Sequence, residues 1–204
     1  INAKKEVFCE KPTLTIAEGR TLINEVKKNK TVFQIGLEDR SVSMYHQMVH
    51  LVRSGAIGKL EEIHVKLPCG YNHPAEEPAP VPKGLNYNLW VGPAPFKPYT
   101  PHRTVQKNWR MIHDYANGSL VDWGSHLVDT AQLAANAPDV CPVEVEGTGT
   151  IPKGRMTNVP ITFDVRYRYS NGVKLFVKSG PNQGGGKGCA DIRFIGSKGW
   201  LGNV

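Results

Sequence analysis

The first 36 residues constrain the fold most, because two β-prone runs flank a segment that begins like a helix. Val7-Phe8-Cys9 is a short apolar run, and Thr15-Ile16-Ala17-Glu18 is a capping box that opens a helix to about Lys28. A second β-prone run occupies residues 31–36. Two strands that are joined through a helix pair in parallel, so the chain is predicted to begin inside a parallel sheet.

Two strands and one helix are too few for such a sheet. A doubly wound domain normally starts with a strand, a glycine-rich turn and a helix, and no such elements precede the run at residues 7–9. The dense glycine cluster at residues 184–188 follows a predicted hairpin and precedes no helix, which favours a mobile loop. We therefore expect residues 1–40 to be the C-terminal part of a dinucleotide-binding Rossmann domain, and the chain to be a fragment.

Residues 41–204 predict a second domain of α/β type on a large, mainly antiparallel sheet. Apolar residues at near-helical spacing predict a helix over residues 44–53, and strict alternation predicts a strand over residues 60–67. The positions expected to face the core are Met44, Met48, Leu51 and Val52 in the helix and Ile63, Val65 and Leu67 in the strand.

The last third of the chain is rich in β-prone residues. The runs cover residues 143–150, 161–169, 173–178 and 193–201, and Ser170-Asn171-Gly172 is a strong hairpin turn. The final hairpin stops close to Val204, so we expect the second domain to be truncated at its C-terminus.

A long proline-rich and aromatic segment, residues 68–102, separates the first predicted strand of this domain from the rest. Loops of this length are uncommon in compact domains and often functional, so it is expected to form a wall of a substrate pocket or an oligomer contact. Tyr87, Trp90 and His113 are candidates for the pocket lining.

Composition limits the classes of partner. The chain of 204 residues is 40% hydrophobic and 21% charged, which is typical of a globular protein, and no apolar run is long enough for a membrane span. The formal charge of +7 is scattered along the chain, which favours a solvated surface over a nucleic-acid interface. Four cysteines without a C-x-x-C pair, Cys9, Cys69, Cys141 and Cys189, indicate neither a zinc site nor a disulfide framework.

The strongest chemical signal is Asp122 followed by His126, directly after the small Asn117-Gly118-Ser119. If the segment is helical, residues four apart lie on one face, so a carboxylate and an imidazole can serve one site as an acid/base pair. The alternative is that His126 is a hydrogen-bonded core residue and Asp122 a carboxylate at a helix N-terminus.

Several motifs together resemble one family. They are Glu10-Lys11-Pro12, the Gln34-Ile35-Gly36 strand with Arg40, the turn at residues 53–58, and Asp122-x-Gly124-x-His126-x-x-Asp129. In this order and spacing they resemble the Gfo/Idh/MocA oxidoreductases over nearly the whole chain. The segment at residues 89–95 and the Trp109-Arg110 pair further resemble a bacterial branch of that family.

The resemblance implies a role for each matched residue. Lys11 would lie beside the nicotinamide and the substrate and polarise a substrate oxygen, while Glu10 and Pro12 shape the turn, often through a cis peptide bond. His126 would be the general base that takes a hydroxyl proton as hydride leaves the adjacent carbon. Asp122 would orient the imidazole, or bind a neighbouring substrate hydroxyl and favour the imidazolium.

The remaining matches are weaker. Trp109 and Arg110 match a pair that contacts the dinucleotide in some relatives, although plain core packing of the tryptophan is nearly as good an explanation. Asp129 fits either a bond that supports His126 or a hydrogen bond within its own helix. No metal is expected, because no second histidine stands at ligand spacing.

The predicted function is hydride transfer between NAD or NADP and a sugar, cyclitol or related polyol. Two alternatives stay open: a glycosidase that oxidises its sugar transiently with bound NAD, and a non-catalytic oligomeric binding protein. A homo-oligomer formed through the large sheet is expected, with no nucleic-acid or membrane partner. Residues 1–204 alone are expected to be inactive for lack of the phosphate-binding turn, and the compartment is cytoplasmic, or periplasmic or secreted if an export signal precedes them.

Overall fold

A computed structural model describes residues 1–136, 141–180 and 190–203. The strands are β1 Val7–Glu10, β2 Phe33–Gly36, β3 Leu60–Pro68, β4 Glu144–Thr150, β5 Thr162–Arg168, β6 Lys174–Gly180, β7 Asp191–Gly196 and β8 Gly199–Gly202. The helices are α1 Ile16–Asn29, α2 Ser43–Arg53, α3 Tyr87–Val91, α4 Gln106–Trp109, α5 Gly118–Asp122 and α6 Gly124–Ala135, with a 3₁₀ helix at Glu38–Ser41. The glycine cluster at residues 184–188 and Cys189 lie outside the described residues.

The N-terminal unit is the predicted strand, helix and strand. β1 and β2 pair in parallel, with Val7 opposite Phe33 and Glu10 opposite Gly36. The capping box forms, because Thr15 Oγ1 accepts a hydrogen bond from the Glu18 backbone at 3.1 Å. Both strands therefore end at the same edge of the sheet. Lys11 follows β1 there, and the 3₁₀ helix follows β2.

The second sheet has six strands in the order β4-β5-β6-β3-β7-β8. β3 runs parallel to β6, and every other neighbouring pair is antiparallel, which confirms the prediction of a large, mainly antiparallel sheet. The division into domains at residue 40 stays a prediction.

The main core lies between one face of this sheet and helices α2 and α6. The predicted alternation in β3 is confirmed, since Ile63, Val65 and Leu67 are buried. Ile63 lies opposite Leu175 of β6 and Phe194 of β7, and all three side chains are 0% exposed. Full burial of such a side chain contributes about 1.5–3 kcal/mol, so these cross-strand layers fix the register of the sheet.

Helix α2 is confirmed, but two of its predicted core positions are wrong. Met48 and Val52 are buried, whereas Met44 and Leu51 are each 42% exposed. Tyr45 and Val49 complete the packed stripe instead. Positions 45, 48, 49 and 52 are spaced by three and four residues and hence share one helix face, which residues 44 and 51 do not.

The proline-rich segment after β3 has its own small core, which sequence periodicity did not indicate. Tyr87 and Val91 of α3 pack with Tyr99, and Trp90 stacks on Tyr87 with 5.8 Å between ring centroids. Aromatic packing thus orders a segment whose prolines exclude long helices and strands.

Candidate active site

The carboxyl ends of β1 and β2 face helices α5 and α6, and the candidate site lies between them. Lys11 follows β1 directly and is joined to Pro12 by a cis peptide bond, as the resemblance implies. Gly36 ends β2 opposite Glu10, and a Cβ atom there would come within 2.8 Å of a Glu10 carboxylate oxygen. Glycine at this position therefore leaves space for Glu10 at the edge of the site.

Helix α5 positions the carboxylate. Gly118 opens it with a φ of +73°, and a Cβ atom would lie 2.7 Å from the Val159 side chain, so glycine is needed there on both counts. Ser119 Oγ donates to the Pro68 carbonyl at 2.5 Å, which ties α5 to the end of β3. Asp122 is the last residue of α5 and projects toward Lys11.

Lys11 and Asp122 form the centre of the site. Lys11 Nζ donates to Asp122 Oδ1 at 2.9 Å and to the Asp122 carbonyl at 2.6 Å. The two side chains are 12% and 23% exposed, so this ion pair is largely removed from solvent. A charge-assisted bond of this kind holds the ammonium in one position.

Arg110 supplies a second cation to the same carboxylate. Its Nε lies 3.1 Å from Asp122 Oδ2, and its guanidinium lies 4.6 Å from the centroid of the Trp109 ring. Trp109 and Arg110 thus stand beside the Lys11–Asp122 pair, although contact with a dinucleotide stays a prediction.

A second ion pair joins the N-terminal unit to α6. Arg40 binds both carboxylate oxygens of Asp129 at 2.7 Å. Neither alternative predicted for Asp129 describes this bond, because its partner comes from the 3₁₀ helix and not from α6 or His126. Bidentate geometry fixes orientation as well as distance, so the turn after β2 is held against the helix that carries His126.

His126 and Asp122 share one cavity, as their spacing predicted. Within the described part of the chain, no hydrogen bond joins the two side chains, since the Asp122 carboxylate is engaged by Lys11 and Arg110. His126 Nδ1 is buried and has no hydrogen-bond partner among these residues. The ring-orienting role of Asp122 therefore stays a prediction without a contact to support it.

Asp39 is a further carboxylate at the cavity, and it interacts electrostatically with His126. It was not among the residues predicted from the sequence. Burial raises the pKa of Asp39, and the charge of His126 opposes that rise, followed by smaller effects of Glu38 and Lys11. Asp39 precedes Arg40, so the Arg40–Asp129 bond holds it at the cavity. Its only sequence signal was its place just after a β2 strand that ends at the site.

Three cavities meet at Arg110 and Asp122, which line all of them. The first of them, about 390 Å³, also contains Lys11, His126 and Asp39 and is the candidate catalytic cavity. A second cavity of about 270 Å³ opens beside the end of β3, and a third of about 400 Å³ lies between Pro12 and Trp109.

Three residues that were predicted to line the pocket lie outside the three cavities, and each makes other contacts. Tyr87 is buried in the aromatic core, and its hydroxyl donates to the Lys97 carbonyl at 2.9 Å. Trp90 packs edge-on against Tyr115, and His113 is exposed with its Nδ1 2.9 Å from Asn117 Oδ1. None of them lines the three cavities, whereas Cys69 and Tyr71, from the start of the proline-rich segment, do.

The described ranges of the chain contain neither a membrane-spanning helix nor a cluster of metal ligands. Within them, no helix is both long and apolar enough to cross a membrane. No group of three or more His, Cys, Asp or Glu side chains there has the arrangement to hold a metal ion.

Known structures share this architecture. An aldose-aldose oxidoreductase from Caulobacter crescentus, solved with glycerol, is 20% identical with a TM-score of 0.69, and the match covers 98% of this chain and 50% of that one. GenD2 from gentamicin A biosynthesis, solved with NAD, is 17% identical at a TM-score of 0.69, with 98% and 48% covered. An oxidoreductase domain protein from Kribbella flavida is 23% identical at 0.69, again with 98% and 48% covered.

The chain therefore spans about half the length of each of these structures, and at such identities the likeness shows the fold. The sequence itself matches the Gfo/Idh/MocA family model described as "Oxidoreductase family, C-terminal alpha/beta domain" over residues 44–199. Because this match extends over well more than half of the residues, the chain belongs to the Gfo/Idh/MocA family of oxidoreductases.

Proposed function

We propose that the protein transfers hydride between NAD or NADP and the hydroxyl-bearing carbon of a sugar, cyclitol or related polyol. The observation that carries the proposal is the Lys11–Asp122 ion pair in a cavity that His126 also lines, at the carboxyl ends of two parallel strands. Ligands of doubly wound sheets bind at that edge. The relative solved with NAD supports the class of cofactor, and the relative described as an aldose-aldose oxidoreductase supports a sugar as substrate.

The residues at this edge fit the nicotinamide end of a dinucleotide. Lys11 and Arg110 supply cationic donors, and the Trp109 face and Pro12 border the third cavity, where a flat ring can pack. When bound, the nicotinamide C4 accepts or supplies the hydride. Glu10, whose carboxylate faces Gly36, closes the side of the cavity next to β2.

The proton is assigned to His126. A hydroxyl that loses hydride from its carbon must also lose its proton, and an imidazole is suited to accept it near neutral pH. Asp39 lies in the same cavity, so a second carboxylate stands near the ring that takes the proton. Lys11, held by Asp122, donates to the reacting oxygen and stabilises the charge that develops there.

Nicotinamide absorbance tests the proposal directly. The complete natural polypeptide is mixed with NAD or NADP and a panel of aldoses, cyclitols and polyols, and we expect reduction of the cofactor that is lost in His126→Ala. His113→Ala is the matched control, because His113 is exposed and lines none of the three cavities. Bound cofactor without turnover of any polyol would contradict the dehydrogenase, and release of an aglycone without net cofactor reduction would favour the glycosidase.

We also propose that the face of the six-stranded sheet opposite the helices joins copies of the chain. This face carries exposed Trp200, next to Arg193 at 4.7 Å from its ring centroid, and the His64–Phe176 ring pair in the central strands. Aromatic and arginine side chains are enriched in protein interfaces. Light scattering should show an oligomer that Trp200→Glu and Phe176→Glu together convert to monomer, while a native monomer would contradict the proposal.

A further inference from the structure

The second cavity continues the catalytic cavity on the side of the large sheet. Arg110, Asp122 and Trp123 line both, so the two cavities adjoin at these residues. Every residue of the second cavity lies at position 68 or later. Because none belongs to β1, β2 or the turns that follow them, this cavity is on the substrate side and not at the strand edge where a dinucleotide binds.

The two cavities differ in the sign of their charge. Besides the shared residues, the catalytic cavity has three carboxylates, Glu10, Glu38 and Asp39, against one cation, Lys11. The second cavity has Lys107 and Arg110, and its only carboxylate, Asp122, is already paired with Lys11 and Arg110. A ligand that occupies both therefore meets an excess of negative charge at one end and of positive charge at the other.

Lys107 is the cation that has no carboxylate of its own. Among the described residues, no acidic side chain forms an ion pair with it, and its Nζ lies 5.7 Å from the centroid of the Tyr71 ring. The charge of Lys107 also acts on His73, whose ring stacks on Tyr71. Burial is the largest cause that lowers the pKa of His73, and the positive charge of Lys107 is the next. Besides Arg110, which is paired with Asp122, Lys107 is the cation that lines this cavity.

The remaining wall suits a sugar ring. Tyr71 and Trp123 are both partly accessible aromatic residues, and Trp123 is 39% exposed where the two cavities join. Aromatic faces pack against apolar ring faces, while Gln106 adds an amide that can both donate and accept hydrogen bonds. A cation beside aromatic and amide groups is a donor set for a carbohydrate that carries a negative group.

We propose that the second cavity binds an anionic group, a carboxylate or a phosphate, that the sugar substrate carries away from its reacting carbon. The proposal rests on the function proposed above and narrows its substrate class to acidic sugars. Lys107 holds the anion, Tyr71 and Trp123 contact the ring, and the hydroxyl that reacts lies near His126. A neutral polyol leaves Lys107 without its partner and binds more weakly.

Binding of matched sugars tests this without any cofactor. The complete polypeptide is titrated with D-glucuronate, D-glucose 6-phosphate and D-glucose, and binding is followed by ligand-observed NMR. At least one anionic sugar should bind about tenfold or more tightly than glucose, since a hydrogen bond to a charged group contributes on the order of 1.5–3 kcal/mol and tenfold corresponds to about 1.4 kcal/mol. Comparison of the two anions distinguishes a carboxylate from a phosphate ligand.

Lys107→Met should remove the preference for the anion. Lys83→Met is the control that should keep it, because Lys83 is an exposed lysine of the proline-rich segment and lines none of the three cavities. The proposal would be overturned if Lys107→Met kept the preference, or if the three sugars bound equally. It would also be overturned if neither anionic sugar bound, or if NAD displaced the anionic sugar. This proposal and the proposed function can fail separately. Reduction of the cofactor by neutral polyols, without any preference for an anion, would support hydride transfer and reject only the anion subsite.

Discussion

The core of the six-stranded sheet and the seam beside it are held together by different forces. In the core, Ile63, Leu175 and Phe194 are fully buried and make apolar contacts across neighbouring strands. The seam, which we define as the contacts of the N-terminal unit with α5 and α6, consists of the Lys11–Asp122 and Arg40–Asp129 ion pairs and a hydrogen bond from Asn117 to the Leu14 carbonyl at 2.6 Å.

The contrast indicates that the sheet core mainly determines stability and that the seam mainly determines activity. Apolar burial is proportional to area and independent of direction, so the sheet core supplies most of the free energy of folding. Ion pairs that are largely removed from solvent lose hydration as they gain attraction, so they add little net stability, but they set the directions of charged groups. Substitutions in the core should therefore change stability, and substitutions in the seam should change turnover.

The largest expected effect is on turnover in the seam. Replacement of the proposed base, His126→Ala, should lower the rate of hydride transfer by roughly 10²–10⁴, the usual contribution of general acid–base catalysis. The free energy of unfolding should change much less than the activation free energy. Steady-state kinetics and urea denaturation of the same preparation measure both, and a large loss of stability with little loss of rate would reverse the assignment of the two regions.

In the core the pattern should be the opposite. Leu175→Ala removes a side chain that is 0% exposed and should lower the free energy of unfolding by about 2–5 kcal/mol. The rate per folded molecule should stay near the native value. Leu89→Ala is the matched control, since Leu89 is 77% exposed and its replacement should leave the midpoint of urea unfolding almost unchanged.

The Arg40–Asp129 pair tests whether the seam positions the cavity. Asp129→Asn keeps the shape of the side chain but loses the charge, and a misplaced catalytic group can cost up to about 100-fold in rate. A double-mutant cycle with Arg40→Gln isolates the pairwise effect. If the two single losses of rate add without coupling, the bidentate bond does not act as a positioning contact.

The smallest effect concerns Asp39 and the pH. Burial raises the pKa of folded Asp39 above its ordinary value of 3.8, so the charged carboxylate lowers stability at neutral pH, and this penalty is lost as the pH falls through the folded pKa. Asp39→Asn should therefore unfold at a slightly higher temperature than the native protein at pH 7. The difference should close on acidification toward the unfolded pKa, and a difference that widened there would contradict the assigned shift.

Much of the architecture follows from local pattern. The capping box at Thr15, the alternation in β3 and the Ser170-Asn171-Gly172 turn each depend on neighbours within a few residues, and all three are confirmed. The errors in α2 arose because periodicity gives the spacing of a stripe but not which of two adjacent stripes meets the sheet. Met44 and Leu51 belong to the adjacent stripe, which faces solvent.

The candidate site divides in the same way. The four-residue spacing of Asp122 and His126 predicted a shared site on the face of one helix. They do line one cavity, although Asp122 ends α5 and His126 belongs to α6. The partners of Asp122 and Asp129 were beyond prediction, since Lys11 and Arg40 are 111 and 89 residues away along the chain. Asp39 and Lys107 carried no motif and were missed for the same reason.

The sequence by itself therefore determined the β-α-β start, the large antiparallel sheet and the hairpins, because these depend on short-range periodicity and spacing. The family resemblance added that Lys11, Asp122 and His126 belong to one set of motifs. Only the tertiary structure decided which charges meet, how Arg110 and Asp122 divide the cleft into cavities, and that one cavity is acidic and the next basic. Electrostatic interactions depend on distances in space, and distances between residues remote in sequence are fixed only once the apolar core has folded.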